Sequence, residues 1–388
     1  MDAVALETKI ALPLIDGAAV LDAVRQVVRG DLAPLTVAVD VDGVYPAEVM
    51  RKLGAAGAFR QHLGSLTGDV PDFNRAIAAT AAISAECTST AFLAWCQNAC
   101  CWYLENTSNR SLRDRRLPAI AAGEVMGATA LSNPMKHFSG IEPLLLKGRR
   151  VPGGYRVNGS LPWVSNLGEG HCFGCVFALD GGAGTRVMAV VDCDAEGIDM
   201  PRSSRFVALE GTRTFALRFK DVFIADEDVL ADPAEPMIDR IRPGFILLQI
   251  GIGTGLIHAC LAVMRRADRT LLEVNRFLPD RPDAIAEDLA AIEVETTLLA
   301  ETPWEGSPDF LRRLFAVRAT TAELSLRASQ AALLHAGARG YVHHAAAQRR
   351  VREALFVAIL TPALKQLRRQ IALMDGTAAP LGPSSAVR

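Results

Sequence analysis

The spacing of hydrophobic and polar positions changes twice along the chain. From the start to about residue 124, apolar residues recur at helical spacing. The predicted helices cover residues 15–28, 45–54, 72–87 and 91–104. Asp72 is expected to cap the third helix, because its carboxylate can accept free backbone N–H groups of the first turn. These helices are apolar on more than one face, so they should be buried between neighbours.

Between about residues 125 and 230 the pattern becomes one of short alternating stretches, which predicts strands. The strands are expected at residues 154–157, 172–179, 186–191 and 214–219, with turns at Gly153-Gly154 and Gly181-Gly182. Asn158-Gly159 predicts a further tight turn, since both residues tolerate positive φ. Short strands at this spacing favour a compact β barrel or sandwich.

From about residue 236 the helical spacing returns. Helices are predicted over residues 245–266, 284–301, 310–337 and 345–373. The pattern therefore predicts an α+β chain in consecutive parts. These are an N-terminal helical domain (1–124), a middle β domain (125–232), a C-terminal helical bundle (233–375) and a loose tail (376–388) rich in proline, alanine and serine.

Composition and charge exclude several classes of function. Half of the 388 residues are apolar, which suffices for a large core, and the formal net charge is −2. This balance gives no reason to expect nucleic acid or an anionic membrane as a partner. No apolar run reaches the roughly 18 residues of a membrane span. The first residues lack a basic segment followed by an apolar one, so a cytoplasmic location is predicted.

The eight cysteines do not indicate a disulfide scaffold in a chain of this length. Half of them fall in the N-terminal helical pattern and are predicted to be core residues. Cys172 and Cys175 form a C-x-x-C pair in a strand-like run. A metal site would need a second pair of ligands, and a redox dithiol usually opens a helix. No metal site is therefore predicted.

A glycine-rich motif, Gly251-Ile252-Gly253-Thr254-Gly255, has the spacing of a dinucleotide-binding loop, with Glu273 at the expected distance. That motif requires a preceding strand. Residues 245–264 instead form one apolar helical pattern, which favours close helix packing through small residues.

Three segments carry the candidate chemistry. They read LPAIAAGEVMGATALSNP (117–134), VNGSLPWVSN (157–166) and GTR followed by FKDVFI (211–224). The second places an indole among small hydroxyl residues, which suits a planar ligand with polar edges. The alternative is a surface hairpin with a tryptophan in the core.

In this order, the three segments resemble motifs of the acyl-CoA dehydrogenase superfamily, and the resemblance covers about residues 45 to 370. It implies a flavin cofactor, FAD or alternatively FMN. Ser132 matches the residue that bonds the flavin edge, and Pro134 fixes the adjoining turn. Trp163 matches the aromatic residue along the isoalloxazine, and Ser165 matches the hydroxyl near flavin N5.

The resemblance also implies partners and assembly. The expected substrate is a small molecule, for which an acyl-CoA thioester is the candidate. An electron-transfer flavoprotein or a flavin reductase would exchange electrons with the flavin. The C-terminal bundle would join subunits in a homotetramer or homodimer.

The sequence departs from the family at the catalytic base. Arg352-Glu353-Ala354 matches the R-D-A motif, which puts Thr361 at the usual glutamate. Phe245 falls at the position used by a minority of members. Neither side chain can remove a proton from carbon, whereas a desolvated carboxylate can. Glu353 is the nearest carboxylate in sequence, but it matches a structural position.

The cofactor anchors depart as well. Val274 to Phe277 is the best match to the R-x-x-F segment, with Arg276 out of register, and residues 333–341 lack the usual glutamine. The spacing between residues 333–341 and Pro362 is closer to that in the flavin-dependent monooxygenases that resemble acyl-CoA dehydrogenases. Their histidines are absent, since Phe356 and Leu360 stand there.

We therefore expect a flavin-dependent oxidoreductase that lacks the usual glutamate. The alternatives are a reduced-flavin-dependent monooxygenase and a non-catalytic flavoprotein or scaffold of the same fold. His137, in the predicted loop after Pro134, is the first candidate for a catalytic hydrogen-bond donor, because imidazole titrates near neutrality. An exposed loop residue is the competing interpretation. His335 and His343 are weaker candidates.

Overall fold

The computed structural model describes residues 17–68, 70–180, 185–202 and 204–378. The predicted helix start at Ile15, the turn at Gly181-Gly182 and the tail beyond residue 378 lie outside the described residues.

Helices build the N-terminal region, as the apolar spacing predicts. They are α1 (Gly17–Val27), α2 (Ala47–Ala55), α3 (Gly64–Thr67), α4 (Phe73–Glu86), α5 (Thr88–Asn106) and α6 (Arg110–Ala121). The Asp72 side chain accepts the backbone N–H of Arg75 at 2.8 Å, which confirms the predicted cap of α4. Every residue of α5 from Thr88 to Leu104 is buried, so this helix is the centre of the region.

The middle region is one mixed sheet of eight strands. The strands are β1 (Gly127–Thr129), β2 (Leu146–Val151), β3 (Gly154–Val164), β4 (Cys172–Leu179), β5 (Arg186–Asp192), β6 (Ile198–Asp199), β7 (Phe215–Ala225) and β8 (Val229–Ala231). Their order is β6-β7-β3-β2-β4-β5-β8, and β1 pairs in parallel with β4. A short helix, α7 (Ser132–Phe138), connects β1 to β2.

The tight turn predicted at Asn158-Gly159 is wrong. Both residues lie inside β3, which is 11 residues long, and the register with β7 shifts between Val157 and Gly159. Gly159 has φ +137°, and a Cβ there would lie 2.3 Å from the Leu145 carbonyl oxygen. Glycine is therefore needed at a register irregularity within β3, where the neighbouring chain segment approaches closely. It does not mark the end of a hairpin.

The described part of the C-terminal region, up to residue 378, contains five α-helices: α8 (Glu235–Asn275), α9 (Pro282–Ala300), α10 (Pro308–Ala336), α11 (Ala346–Ile359) and α12 (Leu364–Met374). Helix α8 has 41 residues and continues through Pro243. By length and composition alone it could cross a membrane, so the expectation that no apolar run reaches that length is wrong. However, 83% of its most apolar window is buried within the fold.

The glycine-rich motif lies inside α8, where it serves close packing against α4. A Cβ at Gly251 would lie 2.5 Å from the Ile77 carbonyl oxygen. One at Gly255 would lie 2.2 Å from that of Ala81. The interpretation as a dinucleotide-binding loop is thereby excluded, because no strand precedes the motif.

The single helix predicted over residues 345–373 is wrong. The structure has two helices there, and the connection contains Thr361 and Pro362. Proline lacks the N–H that a helix interior needs and disfavours helical backbone in the residue before it. Thr361 is therefore a half-buried residue in the turn between two helices and does not lie on a helical face.

All eight cysteines are free and buried. Burial raises the pKa of Cys175 and Cys193 to about 12, which keeps these thiols protonated and unreactive. Within the described ranges, no three histidine, cysteine, aspartate or glutamate side chains are grouped to hold a metal ion.

Candidate functional site

Ser132 is exposed and begins α7, directly after β1. The polar turn predicted here is therefore a short helix, with Pro134 buried in its first turn, where no N–H is needed. The Asn133 side chain fastens α7 to the following loop. Its amide donates to Glu142 at 2.8 Å, and its oxygen accepts the backbone N–H of Leu145 at 3.0 Å.

Trp163 points out of the sheet. The register between β3 and β7 shifts between Leu161 and Val164, which leaves Pro162 and Trp163 both exposed. The indole is 62% exposed, so the interpretation of Trp163 as a core residue is excluded. Ser165, nearly buried, shares a hydrogen bond of 2.6 Å with the Thr214 hydroxyl.

Asn166 joins the end of β3 to the start of β1. Its backbone is left-handed, with φ +64°. The buried side-chain amide donates to the Gly127 carbonyl at 2.8 Å, and its oxygen accepts the Tyr45 hydroxyl at 2.7 Å. The Asn166 carbonyl accepts His171 Nδ1 at 2.9 Å, and burial lowers the pKa of that imidazole. The segment that carries Trp163 and Ser165 is thus fixed beside β1, which leads to Ser132.

Thr361 lies against Ser132 although 229 residues separate them, and the two hydroxyl oxygens are 2.9 Å apart. The Thr361 carbonyl accepts the side-chain amide of Gln249, on α8, at 2.8 Å. The structure therefore brings together two of the residues that the resemblance selects. Sequence reasoning missed Gln249, because it lies in a long apolar helix without a motif.

Aromatic side chains of α5, α8 and α11 form a largely buried wall, one turn of α8 away from Gln249. The ring of Phe245 packs 5.0 Å from Trp95 and 6.4 Å from Tyr103. Phe92 packs 4.6 Å from Phe356. Phe245 is 1% exposed. The Tyr103 hydroxyl reaches the Thr129 hydroxyl of β1 at 2.6 Å, and burial raises the pKa of the phenol.

The carboxylates carried by the same segments are engaged elsewhere. Glu353, on α11, is 1% exposed, binds Arg350 at 2.8 Å and accepts the backbone N–H of Thr88 at 3.1 Å. Glu142, in the loop after α7, pairs with Lys136 at 3.0 Å. Neither makes a hydrogen bond to Ser132 or Thr361 within the described part of the chain.

His137 lies on α7, so the loop predicted for it is wrong. Its Nδ1 donates to the Glu142 carbonyl at 3.1 Å, and the residue is half-buried. No hydrogen bond links it to Ser132 or Thr361 among the described residues. His335 is fully buried between Asp268 and the Asp280 carbonyl, whereas His343 is exposed. A catalytic role of His137 stays a prediction.

The chemistry of these groups fits a flat ring with polar edges. Trp163 offers an exposed apolar face, and the exposed Ser132 hydroxyl can donate or accept a hydrogen bond. The predicted anchors are farther along the chain. Arg276 stacks 5.0 Å from the Phe277 ring, and both Phe277 and Tyr341 are exposed.

Comparisons with known proteins relate the chain to acyl-CoA dehydrogenases. Residues 16–124 match the family of the acyl-CoA dehydrogenase N-terminal domain. The short-chain-specific acyl-CoA dehydrogenase of Clostridium acetobutylicum is 23% identical over 271 residues, which are 66% of this chain and 69% of that protein.

Two solved structures share the whole fold. Butyryl-CoA dehydrogenase from Megasphaera elsdenii superposes with a TM-score of 0.80 at 18% identity, over 94% of this chain and 98% of the other. Dibenzothiophene monooxygenase TdsC from Paenibacillus sp. A11-2 gives a TM-score of 0.78 at 13% identity, over 93% and 98%. The predicted order of a helical, a β and a second helical region is confirmed. The matched N-terminal domain, the sequence relative and the shared fold together support the acyl-CoA dehydrogenase superfamily for this chain.

Proposed function

We propose that this protein is a flavin-dependent oxidoreductase that works without a carboxylate base. The resemblance puts Thr361 at the position of the usual glutamate. One observation supports the proposal: the Thr361 hydroxyl lies 2.9 Å from that of Ser132. A hydroxyl pair can orient a ligand by hydrogen bonds, but its basicity is too low to remove a proton from carbon near neutral pH.

The cofactor of this proposal is FAD or FMN. The exposed indole of Trp163 would cover one face of the flavin ring, and Ser132 and Ser165 would bond its edges. FMN has a structural precedent, since TdsC has been crystallised with FMN bound. When bound, the flavin supplies the exchange of electrons with a substrate or with oxygen.

The reaction that fits a site without a base is oxygen activation by reduced flavin. One oxygen atom would enter a small organic substrate and the other would leave as water, with the electrons delivered by a flavin reductase. Such chemistry needs exclusion of water more than it needs a base. The buried aromatic residues on α5 and α8 provide that exclusion, and Trp95 fixes the wall through a hydrogen bond from Nε1 to the Phe245 carbonyl at 3.3 Å.

Anaerobic mixing with acyl-CoA thioesters tests the missing base. The wild-type protein, loaded with FAD or FMN, is mixed with a panel of saturated thioesters. We expect the flavin absorbance to bleach far more slowly than about one per second, because no base is present to remove the substrate proton. Typical enzymes turn over at about ten per second, so a rate of about one per second is a strict threshold. Bleaching at about that rate or faster would establish a dehydrogenase with another base.

Two controls sharpen this measurement. Thr361→Glu introduces a carboxylate at the usual position, so faster bleaching in this variant alone would show that the site lacks only its base. In parallel, reduced flavin and oxygen are supplied with candidate organic substrates, and oxygenated product is sought. Failure of the wild-type protein to bind either flavin would favour a non-catalytic scaffold.

A further inference from the structure

A buried arginine, Arg318, lies behind the Thr361 turn. It belongs to α10 and is only 1% exposed. Its Nε donates to the side-chain oxygen of Gln249 at 3.1 Å, and one terminal nitrogen donates to the Val357 carbonyl at 2.9 Å. The other terminal nitrogen, Nη1, is buried and has no hydrogen-bond partner within the described ranges.

The charge of Arg318 is not compensated by a carboxylate among the described residues, because its hydrogen bonds go to an amide oxygen and a backbone carbonyl. Arg350, which is equally inaccessible, differs in pairing with Glu353 at 2.8 Å. Burial lowers the pKa of Arg318 to about 10, so the guanidinium remains charged at neutral pH. An unpaired buried charge is costly to the fold, which calls for a function that offsets the cost.

Hydrogen bonds connect this charge to the candidate site. Arg318 can only donate, so it fixes the orientation of the Gln249 amide with the oxygen toward the guanidinium. The amide nitrogen must then face the Thr361 carbonyl, to which it donates at 2.8 Å. The Thr361 hydroxyl in turn meets Ser132 at 2.9 Å. Each contact of the series depends on the one before it.

We propose that Arg318 is a positioning residue for the candidate site: through Gln249 it fixes the Thr361 turn, and its uncompensated charge favours an anionic group held at Ser132. This inference deepens the proposed function, since a reduced flavin is such an anion. It also predicts an effect of Arg318 in the protein without flavin. The role of Arg318 and the proposed function can therefore be tested separately.

The first experiment reads the electrostatic potential at the site without any flavin. Ser132→Cys places a thiol at an exposed position, and the eight native cysteines are buried and should react slowly. The pH dependence of labelling with a thiol reagent gives the pKa of the introduced thiol. Adding Arg318→Met should raise this pKa by about half a unit, because a nearby cation stabilises the thiolate. Arg318→Lys retains the charge and should shift it less.

A second arginine on the same helix provides the matched control. Arg327 is exposed and pairs with Asp280 and Asp288, both at 2.7 Å. Arg327→Met also removes one positive charge from α10, but Arg327 has no part in the hydrogen bonds that link Arg318, Gln249 and Thr361. The pKa of the introduced thiol should therefore not change. If Arg318→Met and Arg327→Met shifted the thiol pKa equally, the shift would be due to the net charge of the protein alone. That result would overturn the proposal.

The second experiment measures the affinity of the protein for oxidised and for reduced flavin. In Arg318→Met, binding of reduced flavin should weaken about tenfold more than binding of oxidised flavin. For a two-electron couple this lowers the midpoint potential by about 30 mV. A purely structural role of Arg318 would weaken both affinities equally and leave the potential unchanged.

Substitutions at Gln249 separate charge from geometry and serve if Arg318→Met does not fold. Gln249→Met removes the hydrogen bond to the Thr361 carbonyl and leaves the charge of Arg318 uncompensated. Gln249→Glu removes the same hydrogen bond and also places a carboxylate beside Arg318, which neutralises its charge. A lower potential in Gln249→Glu than in Gln249→Met supports the role of charge, and equal potentials overturn it.

The outcomes distinguish the two proposals. If the wild-type protein binds no flavin while the pKa of the introduced thiol responds to Arg318→Met, the proposed function fails and the role of Arg318 stands. If flavin binds and neither the thiol pKa nor the potential responds, the role of Arg318 fails alone.

Discussion

At the residue scale, the exposed indole of Trp163 is the feature that a bound flavin is expected to cover. An indole that is 62% exposed on a strand leaves a large apolar surface in water, and bound flavin would cover it. We expect Trp163→Ala combined with Ser165→Ala to weaken flavin binding at least about tenfold, or about 1.4 kcal/mol. Fluorescence titration with FAD and FMN measures this change.

Phe223→Ala is the matched control for that double variant. Phe223 is also an exposed aromatic residue of the sheet, at 43%, but it lies on β7 beneath the guanidinium of Arg156. Its removal should leave the flavin affinity unchanged. Equal affinity in the wild-type protein and the double variant would refute the assignment of the flavin site.

His62 makes the stability of the fold depend on pH. It is fully buried, its Nε2 donates to the Asn98 carbonyl at 3.0 Å, and burial lowers its pKa from 6.5 to about 4. Below pH 6.5 the unfolded chain therefore binds a proton that the native protein refuses. The stability that this histidine contributes is present above pH 6.5 and is lost as the pH falls toward 4.

We expect this proton to lower the free energy of unfolding by about 2 kcal/mol between about pH 7.5 and pH 5. His62→Gln keeps an N–H donor for the Asn98 carbonyl and cannot be protonated in this range. Urea denaturation of both proteins at both pH values should show a smaller loss for the variant. An identical loss would mean that other groups dominate the acid response.

At the scale of single residues, sequence resemblance could select Ser132 and Thr361 separately, because each stands in a recognisable motif. Their contact could not be predicted, since it depends on how α11 ends relative to α7. Arg318 and Gln249 carry no signal at all. An arginine on α10 and a single glutamine in the apolar run of α8 match no functional motif, and polar residues of these types are usually at the surface.

At the scale of elements, the contact between α4 and α8 depends on glycines that allow the two backbones to touch. A Cβ at Gly255 would lie 2.2 Å from the Ala81 carbonyl oxygen. Because backbone atoms cannot move aside easily, Gly255→Ala should destabilise the protein by about 2 kcal/mol or more. Chemical denaturation measures this loss.

Gly30→Ala is the matched control, since nothing lies within 4 Å of a Cβ there and the backbone is helical. It should leave the stability unchanged or raise it by up to about 1 kcal/mol, because alanine is favoured over glycine in a helix. Similar stabilities for the two variants would contradict the tight packing of α4 against α8.

Apolar periodicity predicted most elements because burial sets both the period and the length. The strand at residues 172–179 and the helices at residues 284–301 and 310–337 are confirmed within about two residues. This kind of prediction failed where a single residue determines the backbone conformation. Asn158-Gly159 has the same composition in a hairpin turn as in a strand irregularity, and only the approach of the neighbouring strand distinguishes them.

At the scale of the whole molecule, the chain ends in a helical bundle that leaves apolar side chains exposed. On α9, Val294 and Leu298 are 63% and 51% exposed and lie one turn apart on the same helix face. At the end of α8, Val274 and Phe277 are 64% and 77% exposed. Exposed apolar groups on several helices of one region are typical of a surface that another subunit covers.

We therefore predict that the C-terminal helices join subunits in a homodimer or homotetramer, with a buried surface above about 1,000 Å². Val294→Asp combined with Leu298→Asp should dissociate the assembly, because two carboxylates would have to be desolvated at the interface. Light scattering at micromolar concentration gives the mass of both proteins. Val70→Asp is the control, since this valine is 86% exposed in the connection before α4 and away from the bundle. A wild-type protein that is strictly monomeric would refute the prediction, and an assembly that survives the double substitution would move the interface away from α9.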